Sequence, residues 1–262
     1  MKIVKAHALG NDFLLAPEHD VPASTDRPAL AREICGRHRG IGADGLITYS
    51  EGPRGARMQL LNADGSYSEV SGNGVRCLAA WLASTRALAP GASVEIETDA
   101  GIKTLQLLEA TGRRLTFRAA MGQPEQLRRQ TIDVDGVMVE AVTLRVGNPQ
   151  CVVLGDVTEA RLHALASRLA VHPTFPEGSN VELASVDAPD LVNILIWERG
   201  VGPTEASGTG ACAAGVAAMA YGGAERDVRV QSPGGTQRVE WTERGLFLTG
   251  WAEVIVEGRW IG

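Results

Sequence analysis

The 262-residue chain is 44% hydrophobic, enough apolar content for real cores in one large domain or two modest ones, and its net charge is −6. It has no basic run that would track a phosphate backbone, no apolar stretch of about 18 residues to span a bilayer, and no signal-peptide core behind Met1–Lys5. Nucleic acid and membrane surfaces are therefore not expected as partners. The scattered Cys35, Cys77, Cys151 and Cys212 read as reduced thiols of a cytoplasmic protein, not as a zinc site or a disulfide scaffold.

In chain order, the pattern predicts a helix over 28–38, a second over 75–86, strands over 93–98 and 102–107, a third helix over 159–169 and a fourth over 211–221. The alternation in the strands suits half-buried antiparallel pairing. The second and fourth helices are small and apolar on nearly every face, the pattern of a helix buried all round. Each follows the same punctuation: Ser71-Gly72-Asn73-Gly74 before one and Ser207-Gly208-Thr209-Gly210 before the other, 136 residues apart. Duplication of a whole domain explains an internal repeat of that length. The expected architecture is an α/β (α+β) chain of two pseudo-symmetric halves, each a mainly antiparallel sheet curled around one central helix. The halves are expected at 1–120 and 121–249, with a junction near Met121-Gly122-Gln123-Pro124, and 250–262 returns to the first half.

A glycine-rich turn opening a helix points unpaired N–H groups along the positive end of the helix dipole, an arrangement that receives anions. A single such turn is ordinarily a serine N-cap with glycines for close packing. Two copies on two buried helices are better explained by two helix starts converging on one small ligand between the halves. Neither turn contains a Lys or Arg to hold a larger phosphate, so a carboxylate fits best. G-x-G-x-x-G and G-x-x-x-x-G-K are both absent from the turns. Asparagines recur in similar punctuation at Asn11, Asn62, Asn148 and Asn180, each alone an ordinary turn residue. Glu198-Arg199 adds a carboxylate and a bidentate carboxylate binder shortly before the second turn.

Together these segments resemble the diaminopimelate epimerase family. The stretches that carry the likeness are 5–13 (KAHALGNDF), 40–47 (GIGADGLI), 62–77 (NADGSYSEVSGNGVRC), 147–152 (GNPQCV), 180–183 (NVEL), 197–202 (WERGVG), 205–214 (EASGTGACAA) and 233–235 (PGG), in family order. The resemblance implies two pseudo-symmetric halves, no pyridoxal phosphate or other cofactor, no metal, and an amino acid or small carboxylate as the ligand. It also implies a homodimer. Two cysteines act in that family as base and acid on opposite faces of the substrate α-carbon, chemistry suited to a thiol whose pKa of about 8.5 falls at a helix N-terminus. Carried over by position, the substrate contacts are Asn11, Asn62, Gly72, Asn73, Asn148, Asn180, Glu198, Arg199, Gly208 and Thr209.

The resemblance breaks at the two acid–base positions, Ser71 and Ser207, where it implies cysteines. A helix dipole is worth about 0.3–2 kcal/mol, far too little to ionise an alcohol, so a serine needs an adjacent base. Gln150 stands where the resemblance implies a histidine, and Pro203 where it implies a glutamate. His7, in the first motif, reads as structural. Isomerase is the best functional label, and three alternatives stay open beside it: a diverged enzyme with other chemistry, a non-catalytic amino-acid-binding protein, and an engineered inactive variant.

Overall fold

A computed structural model describes all 262 residues, which form two compact units, 1–119 with 250–262 and 120–249. In the first unit the strands are β1 (Lys2–Ala8), β2 (Asn11–Pro17), β3 (Gly45–Gly52), β4 (Gly55–Asn62), β5 (Tyr67–Ser68), β6 (Ser93–Thr98), β7 (Gly101–Thr111) and β8 (Arg114–Gly122), the last running on into the second unit. Helix α1 (Arg27–Ile34) crosses from β2 to β3, and α2 (Gly72–Thr85) lies between β5 and β6. The second unit continues with β9 (Glu125–Val134), β10 (Val137–Val146), β11 (Asn148–Leu154), the short helices α3 (Glu159–Arg161) and α4 (Ser167–Leu169) around a π turn, β12 (Asn180–Ala188), β13 (Leu191–Glu198), β14 (Gly202–Thr204), α5 (Gly208–Ala217), β15 (Asp227–Ser232), β16 (Gly235–Thr242) and β17 (Gly245–Arg259).

The two units repeat one pairing scheme. In the first, β1–β2 is antiparallel, β2–β3 parallel, β3–β4 antiparallel, β4–β6 parallel and β6–β7 antiparallel. In the second, β10–β11, β11–β12, β12–β13, β13–β15 and β15–β16 follow in the same order with the same senses. Even the outer neighbour is matched, since β9 pairs with β10 as the end of β17 pairs with β1. The duplication visible in the sequence is thus a duplication of topology.

Each unit has an inner core around its long helix and an outer core under its crossover helix. In the first unit Phe13, Leu15, Ile47 and Leu60 face α2, while Leu14, Ala16 and Leu46 face Ala31 and Ile34 of α1. Alternating side chains of one strand therefore serve opposite faces, which is why β2 is apolar nearly throughout. In the second unit Val152, Ala184, Ile194 and Ile196 face α5, and Val153, Val181 and Leu183 pack with Leu162, Ala166 and Leu169. Helix α2 packs against β1, β2, β4, β6 and β7, and α5 against β10–β13, β15 and β16. No helix is long and apolar enough to cross a membrane.

Helix limits differ from the sequence expectation in an instructive way. The first helix stops at Ile34 instead of 38, because the N–H groups of Ile41 and Gly42 turn back to donate to the Ile34 carbonyl at 2.9 and 3.1 Å. The last helix runs 208–217 and widens into a π turn, Ala218–Gly222, before Gly223 ends it with a left-handed φ of 79°. Helices α2 and α5 begin three residues before the expected 75 and 211, so the glycines form their first turns and are not loops ahead of them. Glycine's low helix propensity hid those turns; the capping serines secure them.

Candidate functional site

In the first unit Ser71 is the N-cap of α2, its Oγ accepting a hydrogen bond from the Gly74 N–H at 3.1 Å. Asn73, in the first turn, is buried and donates through Nδ2 to Asn11 Oδ1 at 3.3 Å. Asn11 is in turn oriented by Asp44, whose Oδ2 accepts from Asn11 Nδ2 at 2.7 Å. Asp44 belongs to a charged knot with Asp12, Lys5 and Arg37, in which Lys5 Nζ lies 2.9 Å from Asp12. Burial alone would raise the Asp12 pKa, but the Lys5 and Arg37 hydrogen bonds outweigh it and hold the carboxyl below its usual range. Asn62 closes β4, and its amide is spent on Ser66 Oγ at 2.9 Å. Asn11, Asn73 and the α2 terminus are thus brought together. His7 Nδ1 accepts from the Gly10 N–H at 3.2 Å, closing the β1–β2 turn, the structural part expected of it.

In the second unit Ser207 is the N-cap of α5, with Oγ accepting from the Gly210 N–H at 3.2 Å. Its carbonyl accepts from Gln237 Nε2 at 3.3 Å, and Thr209 Oγ1 lies 3.5 Å from its hydroxyl. Asn180 is buried and accepts through Oδ1 from the Arg199 backbone N–H at 2.9 Å. The Arg199 side chain is exposed, lies over Gly178 and donates to the Glu177 carbonyl, so no buried ion pair forms around it. Gln150 is buried and donates from Nε2 to Asn148 Oδ1 at 2.6 Å, leaving its own Oε1 without a partner. An amide cannot move protons, so Gln150 holds Asn148 and does no acid–base work.

Glu182 is the residue that sequence reasoning passed over. It follows Asn180 by two on β12, so both point into the α5-facing row, ahead of Ala184. Its relative exposure is 0%, and neither carboxylate oxygen has a hydrogen-bond partner. Burial first, and the nearby Glu198 carboxylate second, push its pKa well above the usual carboxylate range. A β-carbon placed on Gly210 would lie 2.7 Å from Glu182 Oε1 and 3.3 Å from Ser207 Oγ. The acid and the hydroxyl therefore face one small space that only glycine leaves open. The signal available in the sequence was a glutamate flanked by Val181, Leu183 and Ala184, a stretch that the structure buries.

No thiol substitutes for the serines. All four cysteines are buried, and burial pushes Cys77, in the middle of α2, far above neutrality. No group of three or more His, Cys, Asp or Glu side chains is placed to hold a metal ion.

The family model for diaminopimelate epimerase matches residues 3–127 and 142–255. The chain belongs to the diaminopimelate epimerase family. It is 39% identical to diaminopimelate epimerase of Desulforudis audaxviator, over 100% of this chain and 99% of that one. It is likewise 39% identical to that of Desulfitobacterium hafniense, over 98% and 97%. Among solved structures, a probable proline racemase from Agrobacterium radiobacter superposes with a TM-score of 0.72 at 17% identity, covering 99% of this chain and 92% of that one. A hydroxyproline epimerase from Agrobacterium vitis with bound trans-4-hydroxy-L-proline gives 0.70 at 16%, covering 98% and 90%. Those two likenesses establish the racemase-type fold. Membership of the diaminopimelate epimerase family makes this chain an isomerase by kinship and accounts for the duplicated topology.

Proposed function

We propose that the chain is a cofactor-independent isomerase acting at the α-carbon of an amino acid, with diaminopimelate as the first substrate to try. Ser71 and Ser207 stand at the two positions to which the family resemblance gives the acid–base groups. The family resemblance assigns the cradle to Asn11, Asn73, Asn148, Asn180 and Glu198; Asn62 and Arg199, engaged with Ser66 and the Glu177 carbonyl, would have to let go of those partners to join it. The first-turn N–H groups of each helix, at Gly72 in α2 and at Gly208 and Thr209 in α5, suit a carboxylate. The observation that carries this reading is the pair of serine-capped, glycine-opened helices, α2 and α5, in a chain 39% identical along its length to named diaminopimelate epimerases.

The chemistry asked of each end is a proton transfer at carbon. A capping hydroxyl already accepts an N–H, which steadies a developing alkoxide but does not create one, so an alcohol works here only with a base behind it. A second reading has its own support. The side chains nearest the Gly74 position are Ile47 and Phe13, where the Gly210 position has the Glu182 carboxyl. A protein that binds the amino acid without turnover would look like this at α2.

Solvent exchange separates the two readings. LL- and meso-diaminopimelate, with a set of basic, acidic and apolar L-amino acids, are incubated with the protein in deuterated water. Deuterium at the α-carbon is read by mass spectrometry, and binding by calorimetry. Exchange together with inversion is the expected outcome for the isomerase. Binding without exchange establishes the amino-acid-binding protein instead, and neither binding nor exchange with any of these compounds removes the cradle.

A further inference from the structure

We propose that Glu182 is the proton partner of Ser207, a positioning residue that lets a serine hydroxyl do acid–base work at α5. The inference rests on the isomerase reading above and deepens it. Three observations on geometry support it. The carboxyl is fully buried with both oxygens unpartnered, an arrangement that costs stability and so calls for a functional reason. It lies at the N-terminus of a ten-residue helix, where the dipole favours developing negative charge. Its Oε1 and the Ser207 Oγ both border the volume that a Gly210 side chain would fill, at 2.7 and 3.3 Å from that β-carbon position, so no side chain stands between the acid and the hydroxyl there.

The groups around the carboxyl suit the role. Cys151 on β11 is a buried thiol, neutral because burial and Glu182 itself raise its pKa. Glu198 on β13 is the one charged group acting on Glu182, and its like charge favours the protonated acid. At this end α5 brings Ser207 and Thr209, and its titratable Cys212 lies one turn further along the helix. Burial and the like charge of Glu198 both favour the protonated carboxyl, the form in which Glu182 can give a proton to Ser207. In the forward step the Ser207 O–H bond breaks as its proton forms the new Cα–H bond of the substrate carbanion. The Glu182 proton passes to Ser207 Oγ, and Glu182 is left as the carboxylate. Proton removal from the substrate is the same step reversed, and no other reactant is needed.

The test is a double-substitution cycle read by α-deuterium exchange of meso-diaminopimelate, taking kcat and KM separately. Glu182→Gln keeps shape and packing and is expected to lower kcat for exchange at least ~100-fold with little change in KM. In a Ser207→Cys background the thiol ionises without help, so the same Glu182→Gln change should cost at least ten times less. Equal costs in the two backgrounds mean that Glu182 merely supports the fold, and they overturn the proposal. Exchange that survives Glu182→Gln in the serine protein overturns it while leaving the isomerase reading intact. No exchange in the unsubstituted protein overturns both. Infrared spectroscopy gives a check independent of turnover: a protonated-acid carbonyl band is expected, lost in Glu182→Gln, and its absence also rules against the proposal.

Discussion

The two helix starts share one backbone plan and differ in what surrounds them. On the first, a β-carbon at Gly74 would meet Ile47 Cδ1 at 2.9 Å and Phe13 Cε1 at 3.5 Å; on the second, one at Gly210 would meet Glu182 Oε1 at 2.7 Å. The strand registers make these positions equivalent. Phe13 pairs with Gly45 and Leu15 with Ile47 across β2–β3, just as Gln150 pairs with Asn180 and Val152 with Glu182 across β11–β12. Where the second unit sets Gln150 and Glu182 toward its helix, the first sets Phe13 and Ile47. Duplication preserved the geometry of the capped turn and changed what faces it: apolar side chains stand nearest Gly74, and a buried carboxyl nearest Gly210.

The sharpest way to break this comparison is to remove each hydroxyl in turn. Ser207→Ala is expected to lower α-proton exchange by ~10²–10⁴-fold, whereas Ser71→Ala should abolish inversion yet leave most of the exchange, with retained configuration. Both should lose about 1 kcal/mol of stability from the missing cap. Chiral analysis of the deuterated product checks this, and equal losses of exchange would dissolve the distinction between the ends.

Moving the carboxyl tests the surroundings directly. Ile47→Glu puts an unpaired acid beside α2 and removes apolar burial, and should cost on the order of 4 kcal/mol at pH 7. The cost should shrink near pH 5, because a buried carboxyl binds its proton more tightly folded than unfolded, so the penalty grows only as pH rises above the unfolded value of about 4.3. Urea unfolding at the two pH values measures it. A cost below about 1 kcal/mol at pH 7 would show that this end tolerates charge as readily as the other.

The smallest effect sharpens the picture of Glu182 itself. Its pKa is raised in the folded protein, so the folded state holds a proton that the unfolded chain releases near pH 4.3. Its contribution to stability is therefore complete below that pH and is lost as pH rises toward the folded value, with a slope of at most about 1.4 kcal/mol per pH unit. Glu182→Gln has no proton to release, so its unfolding free energy should be flatter with pH and higher than that of the unsubstituted protein on the alkaline side. Matching slopes in the two proteins would mean that Glu182 is already ionised at rest.

Much of this was legible in residue order. The repeated Ser-Gly-x-Gly turns, the two all-apolar helices behind them and the family motifs give the duplicated fold, because helix punctuation and buried-helix composition are local properties. Starts at 72 and 208 were not legible, since glycine weakens any helical pattern and only the serine hydrogen bonds reveal that the first turn has formed. Arg199 reads in sequence as an anchor for a carboxylate, yet folding leaves it exposed over Gly178. Asp44 and Glu182 escaped notice for one reason: their weight comes from partners far along the chain. Asp44 matters through Asn11, and Glu182 through Gly210 and Ser207. Register and burial create those meetings, and neither is written in a short motif.

The final strand decides when the first unit can close. Residues 253–259 pair with β1, Ala252 and Val254 fill the core around α2, and Met1 and Trp260 exchange backbone hydrogen bonds at 2.9 and 3.0 Å. On the ribosome the first unit emerges early but lacks this edge until 120–249 have been made, an interval on the order of ten seconds at ordinary elongation rates. The second unit has no such wait, because its sequence is continuous. The half that is born first is therefore sealed last, and through that interval β1 presents an unpaired edge open to wrong pairing.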